Sequence, residues 1–245
     1  MNILLVDIGN TTADFRIWNK ETNEIKKIIR PETKDASWRS SSALFKHFQE
    51  NKIRVDKIIY VSVVPEWNDI IRAFANKLKI DNFNLRSDFD IDKSFFEVDD
   101  LSKLGADFIS NFYGAIDSYG IENGAIVSMG TASTIAVIEN KKFKGTIISP
   151  GLKNSLDCLI SSAVLLQNNT YEKSNVPYGK NTVDAINIGS FNAHYTMLSS
   201  MVKKLGFDFA IFTGGNSIDF KEEIISDGFI FDEELIFKGL IKFNK

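Results

Sequence analysis

The chain has 245 residues, 44% of them hydrophobic and 25% charged, and a formal net charge of −3. That composition suits one large globular domain or two modest ones, and its interspersed acids and bases give no cationic field for nucleic acid. No apolar run reaches the roughly 18 residues that span a bilayer, and the first residues lack a basic segment followed by an apolar stretch and a cleavage site, so the expected compartment is the cytoplasm.

In chain order, residues 2–7 and 13–18 read as strands flanking a turn at Gly9, and a third strand follows at 25–30 after the polar turn Lys20-Glu21-Thr22-Asn23. This predicts a three-stranded meander. A helical pattern at 41–50, an apolar strand at 57–63 and a second helix at 67–78 come next, and then an amphipathic helix from Gly105 to Tyr119. The alternation of strands and helices predicts an α/β fold.

Sliding the sequence along itself sets Val127-Ser128-Met129-Gly130-Thr131-Ala132-Ser133-Thr134 beneath Val6-Asp7-Ile8-Gly9-Asn10-Thr11-Thr12-Ala13, at an offset of 121 positions. Further strands at 135–138 and 143–149, helical patterns at 151–165 and 182–204, a strand at 209–213, a glycine turn at Gly214-Gly215, a helix near 217–225, a short strand at 228–231 and a last helix near 233–239 repeat the order of the first half. The expectation is two lobes, 1–117 and 118–245, related by duplication.

Two facing strand–turn–strand units would aim two glycine turns at one cleft, as a phosphate clamp. Gly9 and Gly130 let the backbone approach closely, and Asn10, Thr11, Thr12, Thr131, Ser133 and Thr134 supply neutral donors. Asp7 repels phosphate unless a hydrated Mg²⁺ stands between them. The competing reading makes the glycines tight turns and Asp7 a strand-end cap. Asp107 opens the helix at 105–119, where the helix dipole favours the ionised form that a general base needs, although capping explains that place equally well.

Neither GxxxxGK[ST] nor a helix-opening GxGxxG is present, so the nucleotide fold that fits is the acetate-and-sugar-kinase/Hsp70/actin type, with duplicated ribonuclease H-like lobes. His47 and His194 stand far apart with no cysteine nearby, which gives no support to a zinc site or histidine triad. Cys158, the single cysteine, lies in an apolar stretch and reads as a small buried hydrophobe.

Taken in order, Asp7-Ile8-Gly9-Asn10-Thr11, Gly105-Ala106-Asp107, Gly130-Thr131-Ala132-Ser133-Thr134, Ser149-Pro150-Gly151, Gly179-Lys180-Asn181-Thr182 and Thr213-Gly214-Gly215 resemble the type III pantothenate kinases across essentially the whole chain. The resemblance implies a homodimer that uses ATP, Mg²⁺ and a monovalent cation, K⁺ or NH₄⁺, to phosphorylate pantothenate toward coenzyme A. It implies that Asp7, Gly9, Asn10, Thr11 and Thr12 form the first phosphate loop and Gly130, Thr131 and Ala132 the second. Gly214 and Gly215 would face the adenosine and Asp107 would be the base. Gly105, Ala106 and Phe108 would border the pantothenate, with Thr182 reaching in from the neighbouring subunit.

The departures from that family fall at its chemistry. Phe108 stands where the family has an Arg that can pair with the pantothenate carboxylate, and Ser128 where it has an Asp at the cation site. Gly145-Thr146 replaces a Gly-Gly pair, and Val98, or an aromatic neighbour such as Phe96, replaces a Tyr upstream of the base. A binding or regulatory homologue without catalysis, and a kinase for another small alcohol, are the alternatives these changes leave open.

Overall fold

The computed structural model describes residues 1–162, 164–166 and 169–244. The helix predicted at 151–165 crosses residue 163, which lies outside them. The chain divides into two compact units: one of Met1–Ser94, Asp99–Gly120 and Glu234–Lys245, the other of Phe95–Val98 and Ile121–Glu233.

The first unit is built on a five-stranded sheet. Strand β1 (Asn2–Ile8) pairs antiparallel with β2 (Ala13–Asn19), and β2 with β3 (Glu24–Ile29), which is the predicted meander. On its other edge β1 pairs in parallel with β4 (Lys57–Ser62), and β4 with β5 (Asp81–Asn84). The order is β3-β2-β1-β4-β5. Strand alternation sends Leu4, Val6, Ile8, Ala13, Phe15, Ile58 and Tyr60 to one face, where they pack with Leu44 and Phe48 of α1 (Ser41–Glu50) and Trp67, Ile71 and Phe74 of α2 (Pro65–Leu78). Ser40 caps α1 by accepting from the Ala43 N–H at 3.1 Å, and Pro65 opens α2 where its missing N–H costs nothing.

The opposite face is covered by α3 (Ala106–Tyr119) and by the last helix of the chain, α7 (Leu235–Ile241). The sequence places α7 at the close of the second half, but its apolar side finds its partners in the first unit. Leu235, Phe237 and Leu240 are buried, the Ser110 hydroxyl of α3 donates to the Ile236 carbonyl at 2.6 Å, and a Cβ at Gly239 would run into the Ser110 carbonyl.

The second unit repeats the sheet. Strand β6 (Gly124–Met129) pairs antiparallel with β7 (Ala132–Glu139), β7 with β8 (Lys142–Pro150), and β6 in parallel with β9 (Ala210–Thr213), which pairs with β10 (Ile230–Phe231). Read from β8, the order β8-β7-β6-β9-β10 is that of the first sheet. Ala125, Val127 and Met129 pack against α4 (Leu152–Ser161) and α5 (Thr182–Lys204), while α6 (Lys221–Ser226) adds Ile224.

Three sequence readings need correction. Strand β5 carries no readable pattern because three of its four residues, Asp81, Asn82 and Asn84, are polar and only Asn84 is buried. Cys158 is exposed, since the buried side of α4 is carried by Leu152 and Leu156, four apart, and Cys158 faces away from them. The constant offset breaks inside the loop: four residues separate the paired Ile8 and Ala13, but three separate Met129 and Ser133. The first strands match at 121 positions, but the returning strands match at 120, so Asp14 and not Ala13 corresponds to Thr134.

Candidate active site

In the first unit, Asp7 is the penultimate residue of β1, and its side chain alternates away from Val6 and Ile8 and toward the face covered by α3 and α7. Asp14 lies directly across the antiparallel pair from Asp7. The turn between them is held by its carbonyls. Gly9 N–H donates to the Thr12 carbonyl at 2.9 Å, the Thr33 hydroxyl to the Gly9 carbonyl at 2.8 Å, and the Thr33 N–H to the Thr11 carbonyl at 2.8 Å. Among the described residues the N–H groups of Asn10 and Thr12 make no hydrogen bond. A loop that spends its carbonyls on the scaffold and keeps N–H groups outward is suited to an anion.

Asp107 lies in the first turn of α3, after Gly105 and Ala106. At Gly105 it is contact and not backbone conformation that favours glycine: a Cβ there would run into the Asp107 carboxylate, displacing that side chain, and come 3.2 Å from the Phe108 ring. The N–H groups of Phe108 and of Asp107 itself favour ionisation, as does the Arg86 charge, yet loss of water outweighs them and the pKa of Asp107 is raised. The N–H groups at the helix start do favour the ionised form, as that position implies, but desolvation is the larger effect and sets the net direction. Asp7 is pushed up to about 7, first by desolvation and then by the neighbouring charges of Asp107 and Asp14, against the opposing pull of Arg30 and Arg16. One helical turn beyond Asp107, Asn111 is buried, and its Oδ1 has no hydrogen-bond partner among the described residues.

Two arginines that sequence reasoning passed over tie this acid cluster down. Arg16 is 3% exposed and reaches Asp14 at 3.1 Å and Glu234 at 3.0 Å, with its guanidinium 4.6 Å from the centre of the Phe237 ring. Arg30 donates to the Thr12 hydroxyl at 3.2 Å and lies 3.8 Å from Asp14. The available signal was in β2, where Asp14 and Arg16 fall two apart on one side of an otherwise apolar strand.

In the second unit, Ser128 occupies the place of Asp7 and pairs with Thr134 across the hairpin and with Thr213 of β9. The loop carbonyls are again engaged: Thr131 accepts from Gly151 N–H at 3.1 Å and from Asn154 Nδ2 at 2.8 Å, and Gly130 accepts from Asn216 Nδ2 at 3.3 Å. Thr131 and Ala132 are exposed. Gly214 has φ +91°, and a Cβ would lie 2.7 Å from the Met129 backbone, so this turn, continuing into Gly215, can lie against the base of the loop only as glycine. Ser133 is buried with its Oγ 2.9 Å from His194 Nε2 of α5, and burial lowers the His194 pKa, keeping the ring neutral. Thr182 opens α5 after its cap Asn181 and is exposed.

The structure thus gathers Asp7, Gly9–Thr12 and Gly105–Phe108 within the first unit, and Ser128, Gly130–Ala132 and Gly214-Gly215 within the second. Among the described residues no helix is long and apolar enough to cross a membrane.

Two sheets of one strand order, each with a hairpin loop after its first strand, define the duplicated ribonuclease H-like fold of the acetate-and-sugar-kinase/Hsp70/actin class. Among solved structures, the chain resembles a protein described as a Baf family transcriptional activator from Campylobacter jejuni, with 24% identity, a TM-score of 0.60 and 98% of each chain covered. It also resembles a ROK family glucokinase from Streptomyces griseus, with 10% identity, a TM-score of 0.53 and 99% of each chain covered. The family model for type III pantothenate kinase matches residues 3–204. A type III pantothenate kinase of Kosmotoga olearia is 32% identical over 98% of this chain and 94% of its own length. The chain belongs to the type III pantothenate kinase family.

Proposed function

We propose that this chain transfers the γ-phosphoryl group of ATP to pantothenate, giving 4′-phosphopantothenate, the first step toward coenzyme A. The observation that carries the reading is the pairing, inside a family match over residues 3–204, of Asp7 beneath an N–H-presenting loop with Asp107 at the head of α3. Asp107 orients the pantothenate hydroxyl and accepts its proton, a contribution of about 10²–10⁴ in rate for a positioned base. Its raised pKa suits that task, because a carboxylate short of water is a stronger base than one in water. Gly105, Ala106 and Phe108 border the alcohol, and Thr182 reaches the pocket from the second copy in a homodimer.

Gly9, Asn10, Thr11 and Thr12 hold phosphate oxygens through N–H and hydroxyl groups. So do Gly130, Thr131 and Ala132, while Gly214 and Gly215 take the adenosine. The donors in the first unit fit Mg²⁺: the Asp7 carboxylate and the unpartnered Asn111 Oδ1 are hard oxygens, and the repulsion that Asp107 and Asp14 exert on Asp7 is what a divalent charge relieves. No set of three His, Cys, Asp or Glu among the described residues could hold a metal, which agrees with an ion held by one carboxylate, water and phosphate. When bound, Mg²⁺ screens the triphosphate from Asp7. Ser128 brings a neutral hydroxyl to the position of the monovalent-cation site, a donor that does not fit K⁺ or NH₄⁺ in the way a carboxylate does, and no step here depends on that ion.

Homodimer formation is supported by apolar side chains that the second unit leaves in water, including Ile148 and Leu159, with Leu165 91% and Tyr178 69% exposed. The cytoplasm is the compartment that holds these substrates. The test is coupled ADP release with pantothenate and Mg·ATP, with and without K⁺ or NH₄⁺. Turnover on pantothenate is expected, and its absence in a folded dimer at saturating substrate overturns the proposal. Asp107→Asn should lose most of the turnover while still binding nucleotide.

A further inference from the structure

Pantothenate carries a charge at the end opposite its reacting hydroxyl. Eight bonds separate that hydroxyl oxygen from the carboxylate carbon, about 10 Å at full extension. The hydroxyl end meets Asp107, and Asp7 and Asp14 stand close by, so the carboxylate needs a cation at a distance from these acids. Phe108 cannot supply one.

Strand register shows where a cation is available. Val6 of β1 pairs with Tyr60 of β4, Tyr60 pairs with Asn84 of β5, and the Leu85 N–H donates to the Tyr60 carbonyl at 2.9 Å. The chain therefore leaves β5 at the same end of the sheet at which β1 delivers Asp7, two strands away, or about 10 Å at the usual strand spacing. Arg86 is the second residue past β5. Its backbone is fixed by a compact turn: the Arg86 N–H donates to Asn84 Oδ1 at 2.8 Å, and the Asn84 N–H to Asp88 Oδ2 at 2.7 Å. One Nη donates to the Leu101 carbonyl at 3.0 Å, in the 3₁₀ turn Leu101–Lys103 that leads into Gly105 and α3. The side chain is exposed, and among the described residues its other N–H groups have no partner.

Neighbouring charges are otherwise engaged. Asp88 accepts from Asn84 and Ser87, Lys103 pairs with Asp100 at 3.7 Å, and Arg30 and Arg16 are committed to Asp14.

We propose that Arg86 anchors the carboxylate of the alcohol substrate, supplying from the end of β5 the cation that Phe108 removes from α3. The inference rests on the pantothenate reading above. A guanidinium with a free edge can hold a carboxylate through two parallel hydrogen bonds, and a contact of that kind is worth roughly tenfold to a hundredfold in binding. That the Arg86 charge already acts on Asp107 agrees with a shared pocket.

The experiment compares pantothenate with panthenol, its neutral alcohol analogue, in the intact protein, Arg86→Ala and Arg86→Lys, with the KM for ATP measured alongside. Intact protein should favour pantothenate, and Arg86→Ala should cut the KM discrimination between the two by about tenfold to a hundredfold, with Arg86→Lys in between. Unchanged discrimination overturns the role. So does an equal rise in KM for both alcohols, which would show that Arg86 acts only by holding Leu101. Intact protein that phosphorylates neither compound overturns the proposed function itself, and that result is read before any variant is made.

Discussion

Asp7 is an acid whose proton leaves near neutrality, and this gives it measurable signatures. Its pKa is about 7 in the folded chain against 3.8 for an ordinary Asp, so the folded state holds the proton more tightly than the unfolded state. Ionisation of Asp7 therefore works against folding, and the stability that its protonated form contributes is lost progressively as pH rises from about 4 to about 7. In ligand-free, metal-free protein, Asp7→Asn should raise the thermal midpoint by a few degrees near pH 8 and leave it unchanged near pH 4, while removing most activity. A midpoint that falls at both pH values would contradict the assignment. In the functional direction the sign reverses: the ionised form serves catalysis, so kcat/KM for Mg·ATP should fall as pH drops below about 7 and level off above it. Binding of Mg·ATP near neutrality should also release protons, visible by calorimetry as an enthalpy that depends on the buffer.

The elements that present these residues make contacts that single substitutions can break. Gly105→Ala keeps an allowed backbone but pushes a methyl group into the Asp107 carboxylate, so kcat should fall about a hundredfold with little change in unfolding midpoint. Arg16→Met leaves Asp14 and Glu234 without their shared cation beneath α7, and should cost about 3 kcal/mol by urea denaturation. The same elements show how much the sequence discloses. Strongly periodic segments such as α1, β4 and α2 are legible because one face of each is apolar. The two glycine hairpins are legible because the fold uses them twice. Strand β5 is hidden because an edge strand with one buried side chain carries almost no pattern. The loop register is hidden because removing one residue from a turn leaves both flanking strands looking unchanged. Arg86 is invisible for the same reason as β5, since its position depends on the strand before it. Asp7 and Asp107 could be named from the motif, but their raised pKa values depend on burial that only packing creates.

For the whole molecule, duplication explains why two sheets share one strand order and why Ser128 stands where Asp7 does. Only one copy keeps the acid. The exposed apolar side chains of the second unit make a dimer the expected form, checked by sedimentation, and substituting Leu165 and Tyr178 with polar residues should shift it toward monomer. The placement of α7 has a separate consequence for how the protein is made. Leu235, Phe237 and Leu240 cover α3, so the first unit stays incomplete until residues 235–241, after the second unit, have been translated. A ribosome that stalls anywhere in the second unit therefore releases a chain whose first unit still shows bare apolar surface to chaperones and proteases, so truncated products betray themselves.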